Sequence, residues 1–180
     1  MSDKEILALY RSGQEQRAFG EIVRTYSERL YWHVRSLVGS HEDTDDLLQE
    51  IYIKIWTALP SFRGDSQLFT WIWRIATNET LNFLSRRQGR GTLSLDDLGE
   101  AVDRRMDDPY FNGTEVQRQL CKAVASLPRK QRTVFCMRYY EDLSYGQISE
   151  ILKTSVGALK ASYHFAYNKI KEEMKKNMTD

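Results

Sequence analysis

Four side chains in the middle of the sequence share one side of a predicted helix. Trp71, Arg74, Asn78 and Asn82 are separated by three, four and four residues, and this spacing places side chains on one helical face. Aromatic rings stack on unpaired bases, whereas guanidinium and amide groups hydrogen-bond to base edges. The types and spacing of these residues therefore indicate a surface that binds unpaired nucleic-acid bases.

Other residues of the same helix have related chemistry. Trp73 lies on a neighbouring side, and Arg86 and Arg87 continue the helix with positive charge suited to phosphates. The alternative interpretation is that one or both tryptophans belong to the core, and that the two asparagines are ordinary surface residues.

The C-terminal part of the sequence contains a second candidate site. A short helix over residues 144–153 is followed by Thr154 and Ser155 and then by a longer helix from Val156. These lengths are typical of a helix-turn-helix, in which the second helix enters the major groove of DNA. The alternative is a generic helical hairpin with a soluble outer face. The face predicted to point outward comprises Gly157, Lys160, Ala161, His164, Asn168 and Lys171.

An acidic segment precedes the aromatic helix. Residues 41–50 read HEDTDDLLQE, and their sign excludes binding to phosphates. The exposed side chains Asp45, Asp46, Gln49 and Glu50 suit a basic protein partner. The alternative is that these acids only compensate the dipole at a helix N-terminus.

The elements that carry these residues are all predicted to be helices. Apolar residues recur at steps of three and four along most of the chain, and no segment alternates as a strand does. Residues 91–113 lack this period and contain glycines and an acidic run, so they are predicted to be a flexible linker. The expected architecture is all-α, with one small helical domain over residues 1–90 and another over residues 114–180.

Composition excludes several classes of protein. The chain has 180 residues, 41% of them hydrophobic, and a formal net charge of +1. No apolar run approaches the ~20 residues of a membrane-spanning helix, and the N-terminal residues lack the pattern of a secretory signal. Two cysteines are too few for a disulfide scaffold. We therefore expect a cytoplasmic protein.

Enzymatic function is not indicated by any motif. The three histidines are far apart and lack the spacing of metal ligands. No glycine-rich loop joins a strand to a helix in the way that cradles phosphates. We expect no catalytic residue, no metal and no cofactor.

Two long segments resemble the extracytoplasmic-function (ECF) sigma factors, which are group 4 of the sigma-70 family. The first, DTDDLLQEIYIKIWTALPSFRGDSQLFTWIWRIATNETLNFLSRR (43–87), is similar to their region 2. The second, SLPRKQRTVFCMRYYEDLSYGQISEILKTSVGALKASYHFAYNKIKEEM (126–174), is similar to their region 4. Both segments stand in the family's order, with a linker between them.

The resemblance implies that the chain is an RNA polymerase subunit that directs promoter-specific initiation. The acidic helix would dock on the clamp coiled coil of the largest polymerase subunit, and the second domain would contact the β flap and the −35 element. The first domain would bind the −10 element and capture a melted base. The residues implied for the −10 element are Arg63, Asp65, Ser66, Trp71, Trp73, Arg74, Asn78, Asn82, Arg86 and Arg87. Those implied for the −35 element are Ser155, Gly157, Lys160, Ala161, His164, Phe165 and Asn168.

The resemblance has further implications for partners. An anti-sigma factor, often membrane-bound in this family, is an expected partner, and the free chain is expected to be a monomer. The recognition helix departs from the family pattern, because Ser162, Phe165 and Tyr167 occupy positions that often carry arginine. Fewer cations predict weaker contacts with −35 phosphates. Two alternatives are a dimeric helix-turn-helix regulator that acts without polymerase, and a nuclease.

Overall fold

The computed structural model describes residues 1–89 and 113–177. Every regular element in these two segments is helical, which confirms the predicted all-α class for the part described. The predicted linker lies outside the described residues except for Gly113. No helix within the described segments is long and apolar enough to cross a bilayer.

In the first segment the helices are α1 (Asp3–Arg11), α2 (Glu15–Val38), α3 (His41–Ala58), a 3-10 turn (Leu59–Ser61) and α4 (Leu68–Gly89). In the second they are α5 (Glu115–Ala125), α6 (Arg129–Phe135), a π-helical turn (Cys136–Tyr140), α7 (Tyr145–Leu152) and α8 (Val156–Asn177).

The boundary between α2 and α3 follows from two residues. Gly39 ends α2 with a left-handed φ of 85°, which a residue without Cβ adopts at low cost. Ser40 then caps α3, because its side chain accepts a hydrogen bond from the Asp43 amide at 3.3 Å. This turn fixes the start of the acidic helix and thus the positions of its carboxylates.

The core of the first domain lies between α2, α3 and α4. Leu47, Ile51 and Ile55 form the buried stripe of α3, and they meet Leu30 of α2 and Ile72 of α4. The sequence pattern predicts this stripe correctly. Since the stripe faces α2 and α4, the acidic residues of α3 point to solvent.

The second domain packs directly against the first. Val134, Met137, Ile148 and Leu159 belong to the same buried cluster as the core of the first domain. Conversely, Leu84 of α4 packs in the core of the second domain. Within the described residues the two domains therefore share a continuous apolar interior, an arrangement that the sequence pattern does not predict.

Tyr26 links α1 to α2 and gives the fold a dependence on alkaline pH. Its buried hydroxyl donates a hydrogen bond to the Asp3 carboxylate. Burial, and then this bond, raise the pKa of the Tyr26 phenol well above its ordinary value of 10.0. Above about pH 10 the unfolded phenol loses its proton while the folded one keeps it, so stability falls as pH rises.

We expect Tyr26→Phe to lose about 1 kcal/mol of stability at neutral pH, because a buried hydrogen bond is removed. Above about pH 10 its stability should decline less steeply than that of the wild type, because the unfolded variant has no phenol to ionise at this position. Urea unfolding across that pH range measures both effects. The exposed Tyr139→Phe serves as the control, and equal slopes for Tyr26→Phe and the wild type would contradict the expectation.

Candidate nucleic-acid interface

Five of the residues predicted to bind unpaired bases meet at one cleft. Arg63, Asp65 and Ser66 come from the loop before α4, and Trp71 and Arg74 come from its first turns. The cleft has a volume of about 330 Å³. Leu68 and Phe69, both buried, fix the start of α4 beside the loop.

Two further residues of the cleft were not singled out from the sequence. Ser61 and Phe62 line it beside the loop, and the Phe62 ring centroid lies 5.1 Å from that of Trp71, with 50° between the ring planes. An aromatic residue directly before the polar loop was the signal available in the sequence. Gly64 turns the loop with a left-handed φ of 85°, a conformation that glycine adopts readily.

Arg74 contributes a partly buried positive charge to the cleft. One of its terminal nitrogens, Nη2, donates a hydrogen bond at 3.2 Å to the main-chain carbonyl of Glu150 in the second domain. Its Nε is buried and has no hydrogen-bond partner among the described residues. A cation and an unused donor beside aromatic rings can hydrogen-bond to an acceptor on a base or a phosphate.

The two neighbouring tryptophans of α4 have different environments. Trp71 is partly buried at the cleft, whereas Trp73 is fully buried. The Trp73 ring lies 4.1 Å from Phe69 and 5.9 Å from Tyr26, measured between centroids. In this arrangement Trp73 is a core residue, which is the alternative that the sequence left open for it. Its role in binding nucleic acid stays a prediction.

The remaining predicted residues of α4 lie outside the cleft. Asn78, Asn82 and Arg86 are exposed farther along the helix. Arg87 forms an ion pair with Asp43 at the start of α3. Arg87 therefore connects the end of α4 to α3, and its predicted contact with phosphates remains untested.

The acidic residues of α3 form a separate surface. Asp45, Asp46, Gln49 and Glu50 are all exposed, and we call these four residues the acidic face. His41 Nε2 lies 3.3 Å from the Asp45 carboxylate. Within the described residues, no ion pair is formed by Asp46 or Glu50 at hydrogen-bonding distance. Exposed carboxylates without neighbouring cations attract a basic partner.

Two exposed apolar residues continue the acidic face along α3. Ile53 is 63% exposed and Trp56 is 38% exposed. They follow Glu50 at steps of three residues. Ile53 lies opposite the buried stripe, whereas the Trp56 ring packs edge-on against Phe19 of α2, with centroids 5.1 Å apart. Neither residue was predicted to form a contact, although the buried stripe of α3 places residue 53 on the outer side of the helix. Exposed apolar residues beside charges are typical of a protein–protein contact.

The second domain contains a helix-turn-helix formed by α7 and α8. Ser144 caps α7, and a capping box joins it to Gln147, as the sequence predicts. Lys153 ends the helix in the left-handed region, with φ at 54°. Ser155 then begins α8 by accepting a hydrogen bond from the Ala158 amide at 3.3 Å.

All seven residues predicted for duplex DNA lie on the exposed side of α8 and its cap. Lys160 Nζ lies 5.8 Å from the ring centroid of Tyr145, and the His164 imidazole is hydrogen-bonded to Asn168 at 3.1 Å. Phe165 is 61% exposed. This face thus offers one cation, a polar pair and an apolar ring to a groove. Its exposed members are Ser155, Gly157, Lys160, Ala161, His164, Phe165 and Asn168.

A metal centre is not formed in the part of the chain that the structure describes. Over residues 1–89 and 113–177, no three His, Cys, Asp or Glu side chains come close enough together to hold a metal ion. Cys121 and Cys136 are both buried in the second domain, and no disulfide joins them.

Comparison with known proteins connects these surfaces to one family. Residues 22–90 match Sigma-70 region 2, and residues 117–170 match Sigma-70, region 4. The chain is 32% identical to the ECF RNA polymerase sigma-E factor of Escherichia coli (strain K12), over 89% of this chain and 88% of that protein. It is 26% identical to the ECF RNA polymerase sigma factor SigW of Bacillus subtilis (strain 168), over 89% and 91% of the two chains.

A solved structure shares the fold. CnrH, determined in complex with the cytosolic domain of CnrY, superposes with a TM-score of 0.70. The alignment covers 97% of this chain and 99% of CnrH, at 22% sequence identity. Two matched regions in the family's order, and a relative at 32% identity along nearly the whole chain, agree with the two-domain helical fold. The chain therefore belongs to the ECF RNA polymerase sigma factors, which are transcription initiation factors.

Proposed function

We propose that this protein binds core RNA polymerase and directs it to promoters by capturing an unpaired base of the −10 element. The observation that carries this proposal is the cleft between Phe62, Trp71 and Arg74. Extruding a base costs a few kcal/mol, and stacking on aromatic rings together with hydrogen bonds offsets that cost. Melting by capture needs no metal, cofactor or catalytic residue, so the protein acts as an initiation factor and not as an enzyme.

The acidic face of α3 is the proposed contact with core polymerase. The family resemblance assigns this helix to the clamp coiled coil of the largest subunit. Exposed carboxylates next to Ile53 and Trp56 support that assignment, because they combine electrostatic steering with apolar contact area. The second domain is proposed to contact the β flap.

The exposed face of α8 is the proposed reader of the −35 element as duplex DNA. A recognition helix places the residues of its N-terminal half against base edges in the major groove. Lys160 can bind a phosphate or a guanine, and the Phe165 ring can contact a thymine methyl group. With a single cation among these seven residues, binding should rely strongly on the −10 element.

An anti-sigma factor is the remaining proposed partner. A solved structure with the same fold, the sigma factor RpoE from Bartonella quintana, contains the anti-sigma factor NepR, and this supports a partner of that kind. We propose that the partner covers the acidic face or the DNA-facing surfaces and so inhibits by occlusion. A cytoplasmic monomer is the form proposed for the free chain.

Transcription from a pool of random promoter fragments tests the proposed function. Purified bacterial core polymerase is assayed with and without the full chain. Transcripts that appear only with the chain, and that share two sequence elements at a fixed spacing, would support the proposal. If the chain ignores core polymerase and selects duplex DNA by itself, an autonomous regulator is the better interpretation.

The contribution of Lys160 can be measured on a promoter selected in that assay. Each phosphate contact adds about 0.9 to the slope of log affinity against log salt concentration. We expect Lys160→Ala, in the full chain bound to core polymerase, to lower the magnitude of that slope by about 1. Lys176→Ala is the matched control, because Lys176 lies at the far end of α8 and pairs with Glu173. An unchanged slope for Lys160→Ala would show that Lys160 does not contact a phosphate.

A further inference from the structure

The carboxylate of Glu141, a residue of the second domain, contacts buried side chains of the first domain. Glu141 follows the π-helical turn, and its side chain is only 12% exposed. Its Oε2 accepts a hydrogen bond from Trp73 Nε1 at 2.7 Å, and its Oε1 lies 2.6 Å from His33 Nδ1. The other nitrogen of the His33 ring lies 2.9 Å from the hydroxyl of Thr77. All three partners of this network are buried residues of α2 and α4.

A second set of contacts crosses between the domains at the other end of α4. Arg129 of α6 donates to the Ser85 hydroxyl at 2.8 Å and to the Leu84 carbonyl at 3.3 Å. It also bonds to the side chain of Gln88. The second domain is thus held along α4 by side chains at both ends.

The same packing engages the proposed −10 surface. Arg74, the cation of the cleft, is bonded to the main chain of α7. The indole nitrogen of Trp73, a residue also predicted for this surface, donates its hydrogen bond to Glu141. We call this packed arrangement the closed form. While it persists, the main-chain carbonyl of Glu150 competes with nucleic acid for the Arg74 guanidinium.

The closed form is too small to read a promoter. The positions after which the −10 and −35 elements are named differ by about 25 base pairs, and at about 3.4 Å per base pair this is about 85 Å of duplex. A compact chain of 180 residues has a radius of gyration of about 16 Å and a diameter of about 40 Å. The domains must therefore separate before both elements are bound. A segment as long as residues 90–112 can span about 75 Å when extended.

From these contacts we infer that the second domain inhibits its own chain, and that Glu141 is the residue that holds it closed. This inference rests on the proposed function of α4. Binding of both promoter elements requires the open form, so the apparent affinity for a promoter falls in proportion to the open fraction. The apolar contacts between the domains are non-directional, whereas the carboxylate fixes the docked position.

Substitution of Glu141 tests the inference in the free, full-length chain. In the closed form, Glu141→Ala leaves the Trp73 and His33 nitrogens buried without an acceptor, whereas in the open form water can reach them. Hydrogen bonds to a charged group are among the stronger ones in proteins, so we expect the ratio of open to closed chains to rise about tenfold to a hundredfold. Asp142→Asn is the matched control: it removes the adjacent carboxylate, which is exposed and pairs with Arg138 in its own domain.

The distance between the domains is the primary measurement. Nitroxide labels are placed at Ser27→Cys and Glu172→Cys, and double electron–electron resonance spectroscopy gives the distribution of distances between the two labels. The wild type and Asp142→Asn should show one dominant short distance, whereas Glu141→Ala should add a broad population at longer distances. Arg129→Ala should also open the chain, which tests the closed form without altering Glu141. Circular dichroism confirms that each variant is folded.

Three results would overturn the inference. The first is a Glu141→Ala chain with the wild-type distance distribution, and the second is a wild-type chain without a dominant short distance. The third is an opened Glu141→Ala chain that, together with core polymerase, binds a promoter with both elements no more tightly than the wild type, where we expect about a tenfold gain. A chain that does not bind core polymerase at all would refute the proposed function instead, because the distance measurement uses neither polymerase nor DNA.

Discussion

Replacing Trp71 by alanine is expected to reduce promoter opening about tenfold to a hundredfold while leaving affinity for core polymerase unchanged. Stacking of one base on an aromatic side chain contributes about 1–3 kcal/mol, and Trp71 is the largest ring of the cleft. The acidic face of α3 is a separate surface, so polymerase binding should be unaffected. Reactivity of unpaired thymines to permanganate, measured at saturating core polymerase on a selected promoter, gives the extent of opening.

Two further variants separate stacking from a general loss of structure. Trp71→Phe retains a ring beside Phe62 and should restore most of the opening. Trp32→Ala removes another partly exposed indole, in α2, and should open promoters as the wild type does. If Trp71→Ala opens promoters normally, or if Trp71→Phe is as defective as alanine, the cleft is not the site of base capture.

The cleft shows which parts of the site the sequence can predict. The family resemblance predicts Arg63, Asp65 and Ser66 as site residues, and the helical spacing predicts Trp71 and Arg74. These residues are close in sequence, and the loop leads directly into α4, so local rules place them together. Phe62 was missed because an aromatic residue between a helix and a loop is equally compatible with a core position.

The distinction between the two tryptophans required tertiary structure. Trp71 and Trp73 are two residues apart, about 200° around the helix, so the helical period predicts that only one of them is buried. Which one is buried depends on where α2 and the second domain pack. Trp73 lies against Phe69 and Tyr26 and bonds to Glu141, which is 68 residues away in the chain. No local pattern contains that contact.

Glu141 illustrates a second limit of sequence analysis. In the sequence it is one acid in the segment Tyr140-Glu141-Asp142, and a solvated charge is its ordinary interpretation. The π-helical turn before it changes the direction of its side chain relative to a continuous α-helix. The helical period predicts a helix here, but it does not predict the π-helical turn or that Glu141 is mostly buried while its neighbour Asp142 is exposed.

Reversing two charges on the acidic face is expected to weaken binding to core polymerase about a hundredfold. Coupling energies of close charge pairs between proteins start at about 1.5 kcal/mol, and Asp46→Lys with Glu50→Lys alters two such contacts. Both residues are exposed on one side of α3, so the fold should persist. The defect should shrink as salt concentration rises, because exposed charges are screened. Titration of a fluorescent chain with core polymerase, in the absence of DNA, measures the affinity.

The control reverses the same number of charges elsewhere. Glu28→Lys with Glu172→Lys changes the net charge equally at exposed positions of α2 and α8. If this control loses as much affinity as the α3 variant, net charge and not a docking surface explains the result. If the α3 variant binds as the wild type does, the acids serve only the helix dipole.

A loss confined to the α3 variant, and relieved by salt, requires a basic surface on polymerase that faces α3. Any salt-resistant affinity that remains is then the apolar contribution expected from Ile53 and Trp56, which lie beside the reversed charges.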